Sequence, residues 1–369
     1  MKNKLSYDIF LIVLTGALLL GYGAGAMLNF GDTVSENENR NLASLTGMTL
    51  ENFSDGSFFE SASNFYSDRF PNRVALTRIK AITELALGKM GNNGVILGKD
   101  GYLIAEREYG DFDVLEKNLE FFSLLEILCQ DRGIPFLCAV APGSIDVNTG
   151  YLPDSYRGNA NEVWCFLEEK QIVKIVTLND AFNCGENYLW YKTDHHWTTD
   201  GAYEAYKYIA EKMKIDAKDK SCFFIETVAD DFYGTTYSKS GNIPVKPDNI
   251  RLYRYNGDED FTVKITESQE SFSGFYCDEK LNTKDKYGVF LGGNFAELTV
   301  KKEADEPREN LLLIKDSFAN SVIPFLAIHY DLTVIDERYY TGDIAKHLEN
   351  ADGVLLLHGI DTLASTPLK

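Results

Sequence analysis

Apolar and polar positions change rhythm several times along this chain, and the changes divide it. Residues 9 to 31 carry no charge and begin IFLIVLTGALLLGYGAGAML, behind Lys2 and Lys4. A run of that length crosses a bilayer. Ala24-Gly25-Ala26 also fits the small-residue pattern of a cleaved secretory signal, so residues 1–31 read as signal peptide or anchor, with a buried core helix as the plainer alternative. Residues 32–105 form a lead-in. SENENRNLAS is polar and linker-like, and then apolar positions recur at three- and four-residue steps (Val74, Ile79, Ile82, Leu85) until the NNG and GKDG turns.

From about residue 112 the pattern becomes helix then strand. DVLEKNLEFFSLLEILCQDR predicts an amphipathic helix closed by Gly133, and IPFLCAVA behind it predicts a strand. IVKIVTL (172–178), LLLIK (311–315), LTVID (332–336) and GVLLLH (353–358) are further strand candidates. Continuous apolar runs separated by helix-length segments imply an α/β fold with a parallel sheet covered on both faces. Residues 223–300 break that pattern with short strands and turns, and read as a β-rich insertion into a domain spanning 106–369.

A net charge of −20 over 369 residues excludes nucleic acid, because its binding requires clustered Lys and Arg. Six cysteines would permit disulfides in an oxidising compartment, yet their spacing is scattered and Cys138 sits inside an apolar run. Without CxxC or a Cys/His cluster the chain has no structural-zinc signature.

Ligands of open parallel sheets gather beyond the carboxyl ends of the strands. There NLLLIKDSFANSVIPFLAIHY runs strand, tight turn and helix with Ser317 at the turn. A serine so placed exposes its hydroxyl at the sheet edge beside backbone N–H groups that suit an oxyanion; the competing reading is plain helix capping by Asp316 and Ser317. A serine nucleophile needs a base, and the base an orienting carboxylate. KTDHHWTTDG (192–201) supplies both: in an extended segment Asp194 and His196 share one side while His195 points away. Thr198 or Thr199 then caps a helix whose Tyr203, Tyr206, Ile209 and Met213 face the core. Metal ligation by Asp194, His195 and His196 competes with this, although divalent sites need three or more converging ligands and no companion DxD is present. His358, also at a strand end and near Asp361, is a rival base.

With SENENRNLA, DRFPNR, NGVILGKDGYLI, YKTDHHWTTDGAY, DFYGTTYSKSG, KYGVFLGGN, IKDSFANSVIPFLA and IDERYY in this order, the chain resembles the DHHW protein family. It is similar, more distantly, to the alginate O-acetylation proteins, whose catalytic domains are SGNH-hydrolase-like. The resemblance implies a three-layer αβα fold with a permuted motif order, a triad of Asp194, His196 and Ser317, and oxyanion donors among Asn294 and Asn320. The turn reads KDS where SGNH enzymes have GDS, so Lys315 is expected either to crowd the turn or to point to solvent. Arg338, past the next strand, is expected to hold substrate by paired N–H bonds, with an ion pair to Glu337 or another acid as the alternative.

These readings converge on an extracytoplasmic carbohydrate O-acetyltransferase or acetylesterase that needs neither cofactor nor metal. Its partners would be a cell-surface carbohydrate, the membrane through the N-terminal segment and, by resemblance, an integral-membrane O-acyltransferase that passes on the acyl donor. A noncatalytic carbohydrate-binding or envelope-assembly protein that keeps the SGNH-like shape is the alternative from another class.

Overall fold

The computed structural model describes residues 2–28, 31, 33–35, 40–47, 49–107, 112–158, 160–182, 188–303 and 306–368. The chain divides into two compact units, Met1–Asn93 with Ser238–Ile243, and Gly94–Tyr237 with Pro244–Lys369.

The first unit is helical. α1 (Lys2–Leu28) contains a stretch, Tyr7–Gly25, long and apolar enough to cross a membrane by length and composition. α2 (Ser57–Asp68) and α3 (Arg73–Ala86) follow, and α3 buries only Ala81. Ile79 and Ile82 are 61% and 43% exposed. Their three-residue spacing is enough for a helix but does not provide a partner for the apolar stripe. Arg69 fastens the lead-in to α2: its guanidinium lies 3.7 Å from the Phe65 ring centroid and donates to the Ala43 carbonyl at 2.9 Å.

The second unit opens with a hairpin, β1 (Val95–Leu97) and β2 (Leu103–Ala105), paired antiparallel around Lys99–Gly101. The GKDG turn thus joins two strands, with Asp100 and Gly101 in left-handed conformations (φ 55° and 79°). α4 (Asp113–Arg132) leads to β3 (Phe136–Ala141), and α5 (Glu162–Lys170) to β4 (Ile175–Thr177). α6 (Thr199–Met213) precedes an antiparallel pair, β5 (Phe223–Phe232) and β6 (Asp248–Tyr255). β7 (Phe261–Ile265), β8 (Ser271–Ser273) and β9 (Glu297–Lys302) come next. β10 (Asn310–Lys315), α7 (Ile323–Ala327), β11 (Asp331–Ile335), β12 (Gly353–Gly359) and α8 (Ile360–Ser365) complete it.

Eight of these strands form one sheet in the order β8-β7-β9-β11-β10-β12-β3-β4. β11, β10, β12, β3 and β4 run parallel, with Leu313 opposite both Val334 and Leu355. β9 pairs antiparallel with β11, and β7 and β8 continue from it. Three strands of the 223–300 region therefore extend the sheet rather than sit apart from it.

Alternation within each apolar run assigns its residues to two cores. Leu311, Leu313, Leu355 and Leu357 pack on one face with Ala202, Tyr206 and Ile209 of α6. Leu312, Ile314, Val354 and Leu356 pack on the other with Leu115, Leu119, Phe122 and Leu125 of α4. Met213 is half-buried against the first core. Trp190, Tyr191, Trp197, Tyr203 and Tyr206 are also buried, so these aromatics are packing groups. Cys138 is fully buried, and Cys129, Cys138, Cys165, Cys222 and Cys277 are free thiols. Cys184 lies outside the described residues.

Leu313 is fully buried four residues before Ser317. Leu313→Ala should lower the unfolding free energy by about 3 kcal/mol, read from urea denaturation monitored by tryptophan fluorescence.

Candidate active site

Two segments 121 residues apart meet at the carboxyl edge of the sheet. The first is the TDHHW segment. Residues 192–196 are not extended, as the side-sharing argument assumes; they form a bend closed by a bridge between Trp190 and Trp197. The Tyr191 N–H donates to the His196 carbonyl at 3.2 Å and the Thr198 N–H to that of Leu189 at 2.9 Å. Within the bend, Asp194 Oδ1 accepts from the His196 backbone N–H at 3.1 Å and meets His196 Nδ1 at 2.5 Å. An Asx-type turn thus brings the two side chains together. His195 does not point away: its ring lies against that of His196, centroids 3.8 Å apart.

The second segment is the turn after β10. Asp316 caps a short 3-10 turn, Ser317–Ser321, by accepting from the Phe318 N–H at 2.9 Å, and its other oxygen accepts from the Gly359 N–H at 2.8 Å. Ser317 Oγ lies 2.8 Å from His196 Nε2. Asp194, His196 and Ser317 therefore form a continuous hydrogen-bonded chain, all three buried. Trp197 joins the segments independently, its indole N–H reaching the Phe318 carbonyl at 3.1 Å and Ser321 Oγ at 2.9 Å. The fourth letter of the motif is a fastener between the bend and the serine turn.

Asp194 is held from a third direction. Its Oδ2 accepts from the Thr235 N–H at 2.7 Å and the Thr235 hydroxyl at 2.9 Å. Since that hydroxyl donates to Asp194, it accepts from His195 Nδ1 at 2.7 Å, which assigns the His195 proton to Nδ1. Burial opposes the carboxylate's charge, but His195, His196 and the Thr235 N–H outweigh it and hold Asp194 well below the usual carboxylate range. Behind the bend, Asp248 accepts from the Lys192 and Thr193 N–H groups at 2.9 and 2.8 Å and from the Tyr188 hydroxyl at 2.6 Å.

Residues 169–335 match the DHHW protein family. Residues 95–239 also match the SGNH hydrolase-like domain of the acetyltransferase AlgX. The chain is 26% identical over 182 residues to the "Probable alginate O-acetylase AlgJ" of Pseudomonas putida, a match covering 45% of each protein, so it spans less than half the length of that curated relative. Among solved structures it is similar to a DHHW family protein from Eubacterium siraeum (TM-score 0.59, 21% identity, 74% of this chain and 93% of that one). It is likewise similar to Bacillus cereus PatB1 (TM-score 0.62, 18% identity, 74% of this chain and 98% of that one). The α/β fold is SGNH-hydrolase-like, and the bend and serine turn both fall within the DHHW match.

The other site residues expected from the sequence gather beneath the turn. Lys315 neither reaches solvent nor displaces Ser317; it is buried and donates to Asn320 Oδ1 at 2.8 Å, Asp336 at 3.1 Å and Asn294 at 3.3 Å. Burial pushes its ammonium below its ordinary pKa against the pull of Asp336. Asn320 donates to Asn294 at 3.0 Å, and Arg338 grips Asp336 through two N–H groups at 2.7 and 2.6 Å. Among the described residues, Asn294, Asn320 and Arg338 make no hydrogen bond to Ser317 or His196. His358 is fully buried and bonded to Glu337, while Asp361 pairs with Arg107 at 2.7 Å. Although burial opposes it, the Glu337 carboxylate raises the His358 pKa.

Asp194, His195 and His196 each offer a ligand atom within 4.8 Å of the others. His196 Nδ1 faces Asp194 and His195 Nδ1 faces Thr235, so a cation there would displace hydrogen bonds already made. Thr235, Asp248 and Tyr287 escaped the sequence reading, because each reaches the bend across dozens of residues with no local signal. GTT at 234–236, inside the quoted DFYGTTYSKSG, was the nearest hint.

A Cβ on Gly234 would sit 2.2 Å from Asp194 Oδ2. Gly234→Ala should push the carboxylate off His196 and lower the rate of any reaction at Ser317 by about two orders of magnitude, read in the ester assay described below. The depressed Asp194 pKa contributes stability that is full above the ordinary aspartate value of about 4 and is lost as pH falls below it. Urea midpoints measured from pH 6 to pH 2.5 should fall less steeply in Asp194→Asn than in the parent.

Proposed function

We propose that this chain is an extracytoplasmic carbohydrate O-acetyltransferase or acetylesterase that works through an acyl-serine intermediate on Ser317. One observation carries the reading: the unbroken chain from Asp194 through His196 to Ser317 Oγ, with His196 Nε2 at 2.8 Å from the hydroxyl. His196 takes the serine proton as Oγ attacks the acetyl carbonyl, then returns it to the departing alcohol. Acetyl-serine remains. A sugar hydroxyl or water, deprotonated by the same imidazole, then attacks the acyl carbon and regenerates Ser317. Asp194, charged at neutral pH, keeps the His196 proton on Nδ1 and balances the imidazolium. The oxyanion falls to backbone N–H groups at the serine turn, with the exposed Asn294 amide as a further candidate donor.

The carbohydrate and the acetyl group follow from the likeness to the probable alginate O-acetylase AlgJ of Pseudomonas putida. Bacillus cereus PatB1 has also been solved with a sulfonyl adduct, and sulfonyl reagents trap activated serines. Placement outside the cytoplasm rests on Tyr7–Gly25 acting as signal or anchor. The domain division proposed is a terminal segment, a helical lead-in and an SGNH-like domain.

The purified chain should hydrolyse a chromogenic acetyl ester and gain one sulfonyl group on Ser317, seen by peptide mass spectrometry, when treated with a sulfonyl fluoride. Ser317→Ala and His196→Ala should each lose about 10³-fold or more in kcat. Activity undiminished in Ser317→Ala would remove the triad. Acetate release that is unchanged by oligosaccharide acceptors, with no acetylated sugar formed, would leave esterase and remove transferase.

A further inference from the structure

Tyr287 lies in a short turn between β8 and β9, far in sequence from both halves of the site. It is buried, and its ring lies parallel to the His196 imidazole, centroids 4.0 Å apart and planes within 8°. The opposite face of the same imidazole carries His195 at 3.8 Å. His196 is therefore clamped between two rings, with Asp194 at one edge and Ser317 at the other. The Tyr287 hydroxyl donates to the Ser317 backbone carbonyl at 3.1 Å and stands 3.2 Å from Ser321 Oγ, the atom that also receives the Trp197 indole N–H. Phe290 at 5.1 Å and Tyr191 at 6.4 Å pack around the ring and hold it in place.

We propose that Tyr287 is a positioning residue of the acyl-transfer site, its ring fixing the plane of the His196 imidazole and its hydroxyl fixing the backbone of Ser317. The inference rests on the acyl-serine reading above for its kinetic consequence, but not for its structural one. An imidazole hydrogen-bonded at both nitrogens still rotates when one bond loosens, as it must when Ser317 gives up its proton and becomes an acyl ester. At that stage Nε2 has lost its serine partner and only the Asp194 bond and the two flanking rings define the ring plane. His195 is a weak wall because it faces solvent, its side chain 42% exposed. Tyr287 is the buried wall. A flat aromatic face also favours the positive charge that His196 carries while it holds the proton. Burial, reinforced by Asp194 and Asp316, pushes the phenol's pKa up, so the hydroxyl stays a donor to Ser317 across the working range.

The two functions of Tyr287 separate by substitution. Tyr287→Phe keeps the ring and removes the donor; Tyr287→Met fills similar space without a flat face. In the full chain, the proton on His196 Nδ1, shared with Asp194 over 2.5 Å, should give a downfield resonance absent from His196→Ala. That resonance should persist in Tyr287→Phe and broaden or vanish in Tyr287→Met. In the ester assay, kcat should fall about threefold to tenfold in Tyr287→Phe and at least a hundredfold in Tyr287→Met, with KM within about threefold of the parent in both. A sharp, unshifted resonance in Tyr287→Met, or its loss in Tyr287→Phe, overturns the proposal, as do equal kcat losses in the two variants. Should Tyr287→Met not fold, Tyr287→Phe still decides through its own resonance. If the parent shows no esterase activity, the acyl-serine reading fails while the resonance continues to test the clamp.

Discussion

The site depends on one buried carboxylate and the donors that converge on it. Asp194 accepts from the backbone and ring of His196 on one side and from the N–H and hydroxyl of Thr235 on the other. A charge removed from water persists in a protein interior only when such partners replace its hydration. Those partners come from a bend and from a loop forty residues on, so satisfying the charge also brings the loop to the bend. Asp248 repeats the device one layer deeper, binding the backbone of Lys192 and Thr193 and the hydroxyl of Tyr188. Tyr188 has a left-handed backbone, φ 67°, a costly conformation for an aromatic residue. The chain bends sharply into the site and is held there by hydrogen bonds made to acids.

The sheet was legible because its interior strands are apolar on both faces, and Leu311 to Ile314 satisfy two cores by simple alternation. The helix after the bend was equally plain: Thr198 caps it, its hydroxyl accepting from the Gly201 N–H at 3.3 Å. Asp194, His196 and Ser317 could be nominated together because their chemistry is local and their order is that of a known family. Legibility ended where a residue's role comes from a distant contact. Thr235 looks like one more loop threonine, and Tyr287 like one more aromatic in a chain rich in them. Asp194 and His196 meet through an Asx-type turn and not through an extended segment, although both geometries bring positions i and i+2 together. At Ile79 and Ile82 the periodicity describes a helical stripe, and burial depends on what lies across from it.

Beneath the serine turn lies a layer in which charge is balanced and not excluded. Lys315 and Arg338 share Asp336, and His358 faces Glu337. The layer explains how a lysine can precede the Asp-Ser pair: its stem passes inward and its ammonium ends among Asn294, Asn320 and Asp336. Buried ion pairs contribute little net stability against apolar packing, but deleting one partner is costly. Such a layer therefore resists piecemeal substitution, and the residues that look catalytic within it, His358 and Arg338 above all, are occupied by Glu337 and Asp336.

The position of β12 has a further consequence. It is the last of the sheet strands along the chain, yet it lies in the middle of the sheet, between β10, which carries the serine turn, and β3. The Gly359 N–H at its end also completes the set of donors on Asp316. Until that segment has emerged and inserted, the strand bearing Ser317 lacks a neighbour and the turn lacks a support. Ser317 is thus synthesised ahead of the strand that supports its turn, and its hydrogen-bonded chain to His196 and Asp194 is aligned only when β12 closes the gap.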